Sequence, residues 1–348
     1  MKKTLAPSFI AAALMTTSFI AVSSDTKPGV IIYATGGTIA GSSTSNTDTT
    51  GYKAGSLGVD ILIEAVPELK DVAIISGEQI ANIGSSNVDQ KTLLKLAKEI
   101  NEKLKSDDTH GVVVTHGTDT LEETGFFLDL TVNSEKPVVM VGAMRPATAI
   151  SADGPMNLLQ AVSLAASDMA NDRGTMIVLN DRIGSAFYTT KTNSTTLDTF
   201  MASDQGFLGT FIGSKPKFYF EPSTPVKKPT FDISKLDELP KVAILYSHQD
   251  QDVALLDMLV DKGAKGIVLA GNGNGSLSES VKTKVKELME NGVPVVRSTR
   301  TGSGFVTDKE EGIGSGYYNP QKSRILLTLA LSENANMDQI REYFNSEV

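Results

Sequence analysis

Short apolar runs alternating with segments of helical length constrain this chain more than any other feature. Runs at 30–33, 112–114, 138–141 and 176–179 carry no charge and consist mostly of valine, isoleucine and their like. Such runs read as strands buried on both faces, because a half-exposed strand alternates polar and apolar residues. Between them the period lengthens to that of a helix. Over 89–104, Leu93, Ala97, Ile100 and Leu104 share one face. Pro155 opens another helix at a favourable first-turn position, with Leu158, Ala161, Val162 and Ala165 on one stripe. The alternation predicts βαβ units and a parallel sheet covered on both faces.

The pattern breaks at 222–240, where Pro222, Pro225, Pro229 and Pro240 stand among polar and charged residues in the composition of a linker. It resumes with strand-like runs at 242–246, 267–270 and 293–296, and helical segments at 253–262, 278–291 and 319–331. The expected fold class is α/β: a larger N-terminal parallel-sheet domain over 25–221 and a smaller C-terminal α/β domain over 241–348. The length of 348 residues allows each a core of its own. Residues 1–24 stand apart. Lys2 and Lys3 precede an uncharged, mostly apolar stretch from Leu5 to Val22, with small residues near Ala21–Ser24. This is the pattern of a secretory signal peptide and predicts a periplasmic protein. An uncleaved membrane anchor is the weaker reading, since spanning needs about 20 strongly apolar residues.

Composition narrows the chemistry. The chain holds no cysteine, which excludes disulfides, thiol nucleophiles, cysteine zinc sites and a lipid anchor on cysteine. Its three histidines, His110, His116 and His248, lack the spacing of a metal site. A net charge of −9 and the absence of tryptophan argue against nucleic acid and anionic membranes as partners.

Two hydroxyl-rich turns directly follow buried strands, where open α/β sheets bind ligands. The first is 34–41, with Gly36, Gly37 and Thr38; the second is 115–120, with Thr118 and Asp119. Glycines let backbone approach a ligand, and a threonine on such a turn can be a nucleophile if a base activates it. No G-x-G-x-x-G and no phosphate-loop lysine is present, which disfavours a nucleotide-binding loop. Thr118 or Asp119 also reads as the N-cap of a helix running to Val132. Lys191, in a polar loop, is the candidate base. A lysine so acts only when burial or charge lowers its pKa, and on composition alone Lys191 reads as a solvated surface residue. The polar stretch from Gly41 to Gly58 reads as a long functional loop or lid.

The segments A-T-G-G-T-I-A-G at 34–41 and T-H-G-T-D-T at 115–120 resemble the two signature motifs of bacterial type II L-asparaginases. G-A-M-R-P at 142–146, S-A-D-G-P-M-N at 151–157 and N-P-Q-K-S-R at 319–324 also match, so the resemblance runs in order along the whole mature chain. T-T-G-Y-K-A-G at 49–55, R-P-A-T-A-I-S-A-D-G-P at 145–155 and L-N-D-R-I-G-S-A at 179–186 resemble the Erwinia-type members, as does the missing disulfide. The resemblance implies the asparaginase/glutaminase fold and hydrolysis of L-asparagine through a threonine acyl-enzyme, with L-glutamine hydrolysis as a side activity. It implies Thr38 as nucleophile, Tyr52 as the residue closing over the substrate, and Thr118, Asp119 and Lys191 as a second catalytic group. It implies substrate contacts from Gly37, Ser85, Ser86, Thr118, Asp119 and Ala143. Asn274 and a glutamate of 308–311, read as Glu310 ahead of Glu311, would complete the site of a neighbouring subunit in a homotetramer built from dimers. No metal and no cofactor are implied. Ser86 departs from the family, which usually carries Gln or Glu there, and this bears on the choice between the two amides.

Two other readings compete. A glutaminase-asparaginase preferring glutamine would differ in the kcat/KM ratio of the two amides. A periplasmic amino-acid binding protein would also be exported and built of two α/β domains, but would need no nucleophile or base and would release no ammonia.

Overall fold

A computed structural model describes residues 27–344, so the signal-peptide reading of 1–24 lies outside the described residues. Along the chain the strands are β1 (Gly29–Gly36), β2 (Ile74–Ile83), β3 (Gly111–Thr115), β4 (Val138–Val141), β5 (Thr175–Leu179), β6 (Arg182–Ser185) and β7 (Thr190–Lys191). There follow β8 (Phe200–Met201), β9 (Gly209–Ile212), β10 (Lys215–Phe218), β11 (Val242–Tyr246), β12 (Gly266–Gly271), β13 (Val295–Thr299) and β14 (Ile313–Gly314). The helices are α1 (Val59–Glu64), α2 (Leu69–Val72), α3 (Gln90–Lys103), α4 (Leu121–Thr131) and α5 (Gly154–Ala165). The second half contributes α6 (Ala254–Asp261), α7 (Glu279–Glu290), α8 (Pro320–Ser332) and α9 (Met337–Phe344).

The large sheet has the order β10-β9-β6-β5-β4-β3-β1-β2. From β2 to β5 every pairing is parallel, as the strand–helix alternation predicts. Beyond Leu179 the chain doubles back. Asn180 and Asp181, both at positive φ, form a two-residue hairpin turn, and β6, β9 and β10 add an antiparallel margin. β1 lies between β2 and β3, so the winding reverses there. In open α/β sheets the crevice at such a reversal, beyond the carboxyl ends of the strands, is where ligands bind.

Alternation along β1 divides the interior in two. Val30, Ile32 and Ala34 join Leu62, Leu69, Leu158, Ala161 and Val162 on one face, the face covered by α1, α2 and α5. Ile31 and Tyr33 join Leu94, Ala97, Ile100, Phe126 and Phe127 on the other, under α3 and α4. On α3 the buried stripe is Leu94, Leu96, Ala97 and Ile100, with Leu93 at its margin. Asp89 caps this helix by accepting from the Thr92 N–H at 2.8 Å.

The second sheet, β11-β12-β13-β14, is parallel throughout. α6 and α7 cover its outer face with Leu256, Val281, Val285 and Leu288. α8 covers the inner face and is buried on the far side too, against α4. Each half has a core of its own, and a third apolar cluster is shared between them. Val268 and Val296 of the small sheet, Leu326 and Leu329 of α8, and Phe126 and Leu128 of α4 belong to one apolar cluster. The stretch 222–240 has no regular element but is not a free spacer. Phe231, Ile233 and Leu239 are buried in that same cluster, and the Phe231 N–H donates to the Leu130 carbonyl at 2.8 Å. Among the described residues no helix is long and apolar enough to cross a membrane.

Candidate active site

Four neighbouring parallel strands end on one edge of the large sheet, and each delivers a residue singled out by the sequence. β1 leads into Thr38, β2 into Ser85, β3 into Thr118 and Asp119, and β4 into Ala143. The turns meet through backbone. A Cβ on Gly37 would lie 2.3 Å from the Gly117 Cα, and one on Gly117 would lie 2.8 Å from the Ser85 Cβ. A Cβ on Gly142 would meet the Thr118 Cγ2 at 3.0 Å. Glycine is thus required where the turns touch, and Gly37, at φ 83, also holds a conformation that side chains rarely adopt. The Thr35 hydroxyl ties the two turns by donating to the Thr115 carbonyl at 2.9 Å.

His116 braces the second turn from within. Its Nδ1 lies 2.8 Å from the Gly117 carbonyl, which can only accept, so Nδ1 carries the proton. Nε2 then accepts from the Thr124 hydroxyl at 2.9 Å. Complete burial pushes the imidazole pKa down to about 4, so the ring is neutral. The expected N-cap at Thr118 or Asp119 is not what forms. α4 begins at Leu121 behind Thr120, with no side-chain cap. The Thr118 and Asp119 side chains are engaged elsewhere, and the Thr120 hydroxyl donates to the Ser85 carbonyl at 2.8 Å.

What engages them is Lys191, so its reading as a solvated lysine is corrected. It lies on β7, paired with β8, and its side chain is only 13% exposed. Its Nζ donates to the Thr118 Oγ1 at 3.0 Å and the Asp119 Oδ1 at 2.7 Å. The Asp119 side chain is 74% exposed, leaving its other oxygen open to the cavity. The loop that carries Lys191 is fastened by α8. Lys322, fully buried, donates to the carbonyls of Ala186, Phe187 and Thr189 at 3.0, 2.7 and 2.8 Å, and burial pulls its pKa down to about 8. Asn319 donates to the Thr190 hydroxyl at 3.2 Å. Gln321 donates to one Glu122 oxygen at 2.5 Å, and the other accepts from the Lys191 N–H at 3.1 Å.

The polar loop after β1 folds back over this edge. Ser42 and Lys53 bridge as a short antiparallel pair, and Asp48 accepts from the N–H groups of Thr50 and Gly51 at 3.0 and 2.7 Å. Tyr52 is thereby set over Thr38. The two hydroxyls are 2.5 Å apart and Thr38 is buried. Tyr52 also lines a cavity of about 360 Å³ together with Thr118, Asp119, Met144, Arg145 and Lys191. Asp153 fixes the far wall, accepting from the Met144 and Arg145 N–H groups at 2.9 and 3.0 Å. Asn157 ties that wall to β4 through the Gly142 carbonyl at 3.1 Å. The matched segments at 142–146 and 151–157 are thus two halves of one brace.

Ser85 is buried beneath Gly117, while Ser86 is exposed. Asn274 and Glu310 are exposed on the C-terminal half and do not line this cavity. Their loops are drawn together by the buried Arg297, which donates to the Gly275, Thr307 and Gly312 carbonyls at 3.2, 2.8 and 3.2 Å. A larger depression of about 690 Å³, lined by Lys98, Glu102, Lys105, Phe231 and Asp232 among others, includes no residue of the two threonine turns. Sequence reasoning passed over Glu122, His116 and Lys322 as site residues. For Glu122 and Lys322 the available signal was a charged residue in the first turn of a helix that is otherwise largely buried.

Two family descriptions match the chain: Asparaginase, N-terminal, over residues 29–224, and Glutaminase/Asparaginase C-terminal domain over 241–344. The chain is 56% identical to L-asparaginase 2 of Bacillus subtilis, covering 91% of this chain and 86% of that protein. It is 46% identical to a probable periplasmic L-asparaginase of Haemophilus influenzae, covering 91% and 92%. A crystal structure of a probable cytoplasmic L-asparaginase from Campylobacter jejuni matches with a TM-score of 0.88 at 48% identity, covering 91% of this chain and 99% of that one. With the fold, the two threonine turns and both halves of the chain in agreement, this protein belongs to the type II bacterial-like L-asparaginase family.

Proposed function

We propose that the chain hydrolyses L-asparagine to L-aspartate and ammonia through an acyl-enzyme on Thr38. The observation that carries this is the contact of the Tyr52 and Thr38 hydroxyls at 2.5 Å, with Tyr52 lining a cavity whose wall also bears the Lys191–Thr118 pair. Tyr52 accepts the Thr38 proton and passes its own hydroxyl proton to the departing nitrogen, so that the Thr38 oxygen attacks the side-chain carbonyl and the nitrogen leaves as ammonia. The tetrahedral oxyanion rests on N–H groups of the glycine turns, an effect worth about 3–4 kcal/mol per donor. Collapse expels ammonia and leaves the ester on Thr38. Thr118, with Lys191 as its proton partner, activates the water that releases aspartate. The free Asp119 oxygen holds the α-ammonium; the Ser85 hydroxyl and turn N–H groups, Gly37 among them, hold the α-carboxylate. The main chain at Ala143 orients the side-chain amide. Ser86 is too short and too exposed to grip the amino group as a longer residue would, so we expect L-glutamine to be hydrolysed as well. A single methylene is worth only about 1–3 kcal/mol of discrimination.

Thr38→Ala is expected to lose turnover of both amides by at least about a thousandfold while binding and fold persist. Wild-type ammonia release by that variant would falsify the nucleophile assignment. Steady-state kcat/KM for asparagine against glutamine distinguishes the asparagine-preferring enzyme from the glutamine-preferring one. The leader-like N-terminus supports export to the periplasm. N-terminal sequencing of the protein from that compartment should begin near Ser24, and an intact Met1 would overturn this.

A further inference from the structure

We infer that Glu122 is a positioning residue for Lys191, and that through Gln321 it makes the active lysine dependent on the C-terminal half of the chain; this rests on the role proposed for Lys191. The carboxylate lies in the first turn of α4, among Leu121, Phe126, Phe127 and Leu128, all buried. Burying a carboxylate is costly unless its oxygens are satisfied, and packing alone would favour an apolar residue at this place. Both oxygens are used. One accepts the Lys191 N–H at 3.1 Å, so Glu122 holds the lysine by its main chain. The other accepts from Gln321 at 2.5 Å, which stops the carboxylate from swinging. The Lys191 side chain then returns to Thr118 and Asp119, four and three residues before Glu122 on the same segment. A lysine stem has four rotatable carbons and no fixed direction of its own. Fastened at its main chain and at its ammonium to the same segment, it closes a ring, and Nζ has one place to be. The cations around this carboxylate are Lys191 and the buried Lys322, whose proton Glu122 helps to hold. Asn319 and Lys322 secure the flanking chain, so three residues of the matched segment at 319–324 grip the loop that presents the base, while Arg324 pairs with Glu123 on α4 at 2.9 Å.

The test is a comparison of Glu122→Leu, Glu122→Gln and Gln321→Leu in the full-length protein, with Lys191→Met alongside. Glu122→Gln keeps an acceptor for the Lys191 N–H, and a flipped Gln321 amide can still pair with it. Glu122→Leu and Gln321→Leu are expected to lower kcat for asparagine by about tenfold or more, since small misplacements of a catalytic group cost this much. KM should stay within about threefold, and the pH limb of kcat set by the base should move by about half a unit or more. Glu122→Gln should recover kcat to within about threefold of wild type. Gln321→Leu breaks the bridge from outside α4, so it reports even if Glu122→Leu fails to fold. If Lys191→Met is inactive but Gln321→Leu keeps the wild-type kcat and pH profile, the positioning role is wrong and the base assignment stands. If Lys191→Met itself turns over normally, the base assignment fails and takes this inference with it. Equal loss in Glu122→Leu and Glu122→Gln would also overturn the bridge, because geometry would then not be what matters.

Discussion

His116 occupies the middle of a signature segment, yet the structure gives it no access to the cavity and no part in proton transfer. It is a fully buried, neutral brace whose ring joins the Gly117 carbonyl to the Thr124 hydroxyl. Its pKa falls from 6.5 to about 4 through loss of solvent. The unfolded chain therefore takes up a proton below about pH 6.5, whereas the folded chain resists it until about pH 4. Stability from this group is complete above pH 6.5 and declines by up to about 3 kcal/mol as pH falls towards 4. Urea unfolding of wild type and His116→Gln between pH 7 and 4.5 should show the difference between them shrinking as pH falls; a difference flat across that range would refute the brace. Individual roles were unevenly legible in the sequence. Thr38, Thr118 and Asp119 could be singled out because hydroxyls and glycines follow buried strands. Lys191 could be named as a candidate base, but a lysine in a polar stretch looks solvated until Thr118 and Asp119 are seen beside it. Glu122 was less visible still: its partners lie 69 and 199 residues away.

Among elements, the turns matter more than the strands that carry them. Gly37 stands at positive φ with Gly117 backbone where its Cβ would be, whereas Gly213, also at positive φ, faces open space. Gly213→Ala should cost only the conformational penalty of about 1–2 kcal/mol. Gly37→Ala should cost at least twice that and abolish turnover, because the neighbour it strikes is backbone and cannot swing aside. Denaturant midpoints for the two variants check this; similar losses would mean that the turns are not truly wedged together. The buried strands and longer helices were readable because continuous apolar runs and 3.6-residue stripes have few other interpretations. β2 escaped notice because most of its residues are only partly covered, and β7 because two residues carry no periodicity. The hairpin at Asn180–Asp181 had a local signal, paired residues that tolerate positive φ, which the dominant strand–helix rhythm obscured.

At the scale of the whole molecule, the division into two halves was plain from the proline-rich break, but their dependence on each other was not. α8 belongs by sequence to the second half, yet it packs between the small sheet and α4, and its first turn holds the strand bearing Lys191. Asn274 and Glu310, exposed and away from the cavity of their own chain, fit the proposal that each completes a neighbour's site in a homotetramer. Symmetric assembly is the usual way a soluble enzyme shares residues between copies. Light scattering should report four chains, and a fully active monomer would refute the proposal. The placement of α8 also bears on the timing of synthesis. A ribosome must pass codon 319 before the hold of α8 on the lysine loop exists, so a shortened polypeptide has the Glu122–Lys191 bond but lacks the second anchor from Asn319, Gln321 and Lys322.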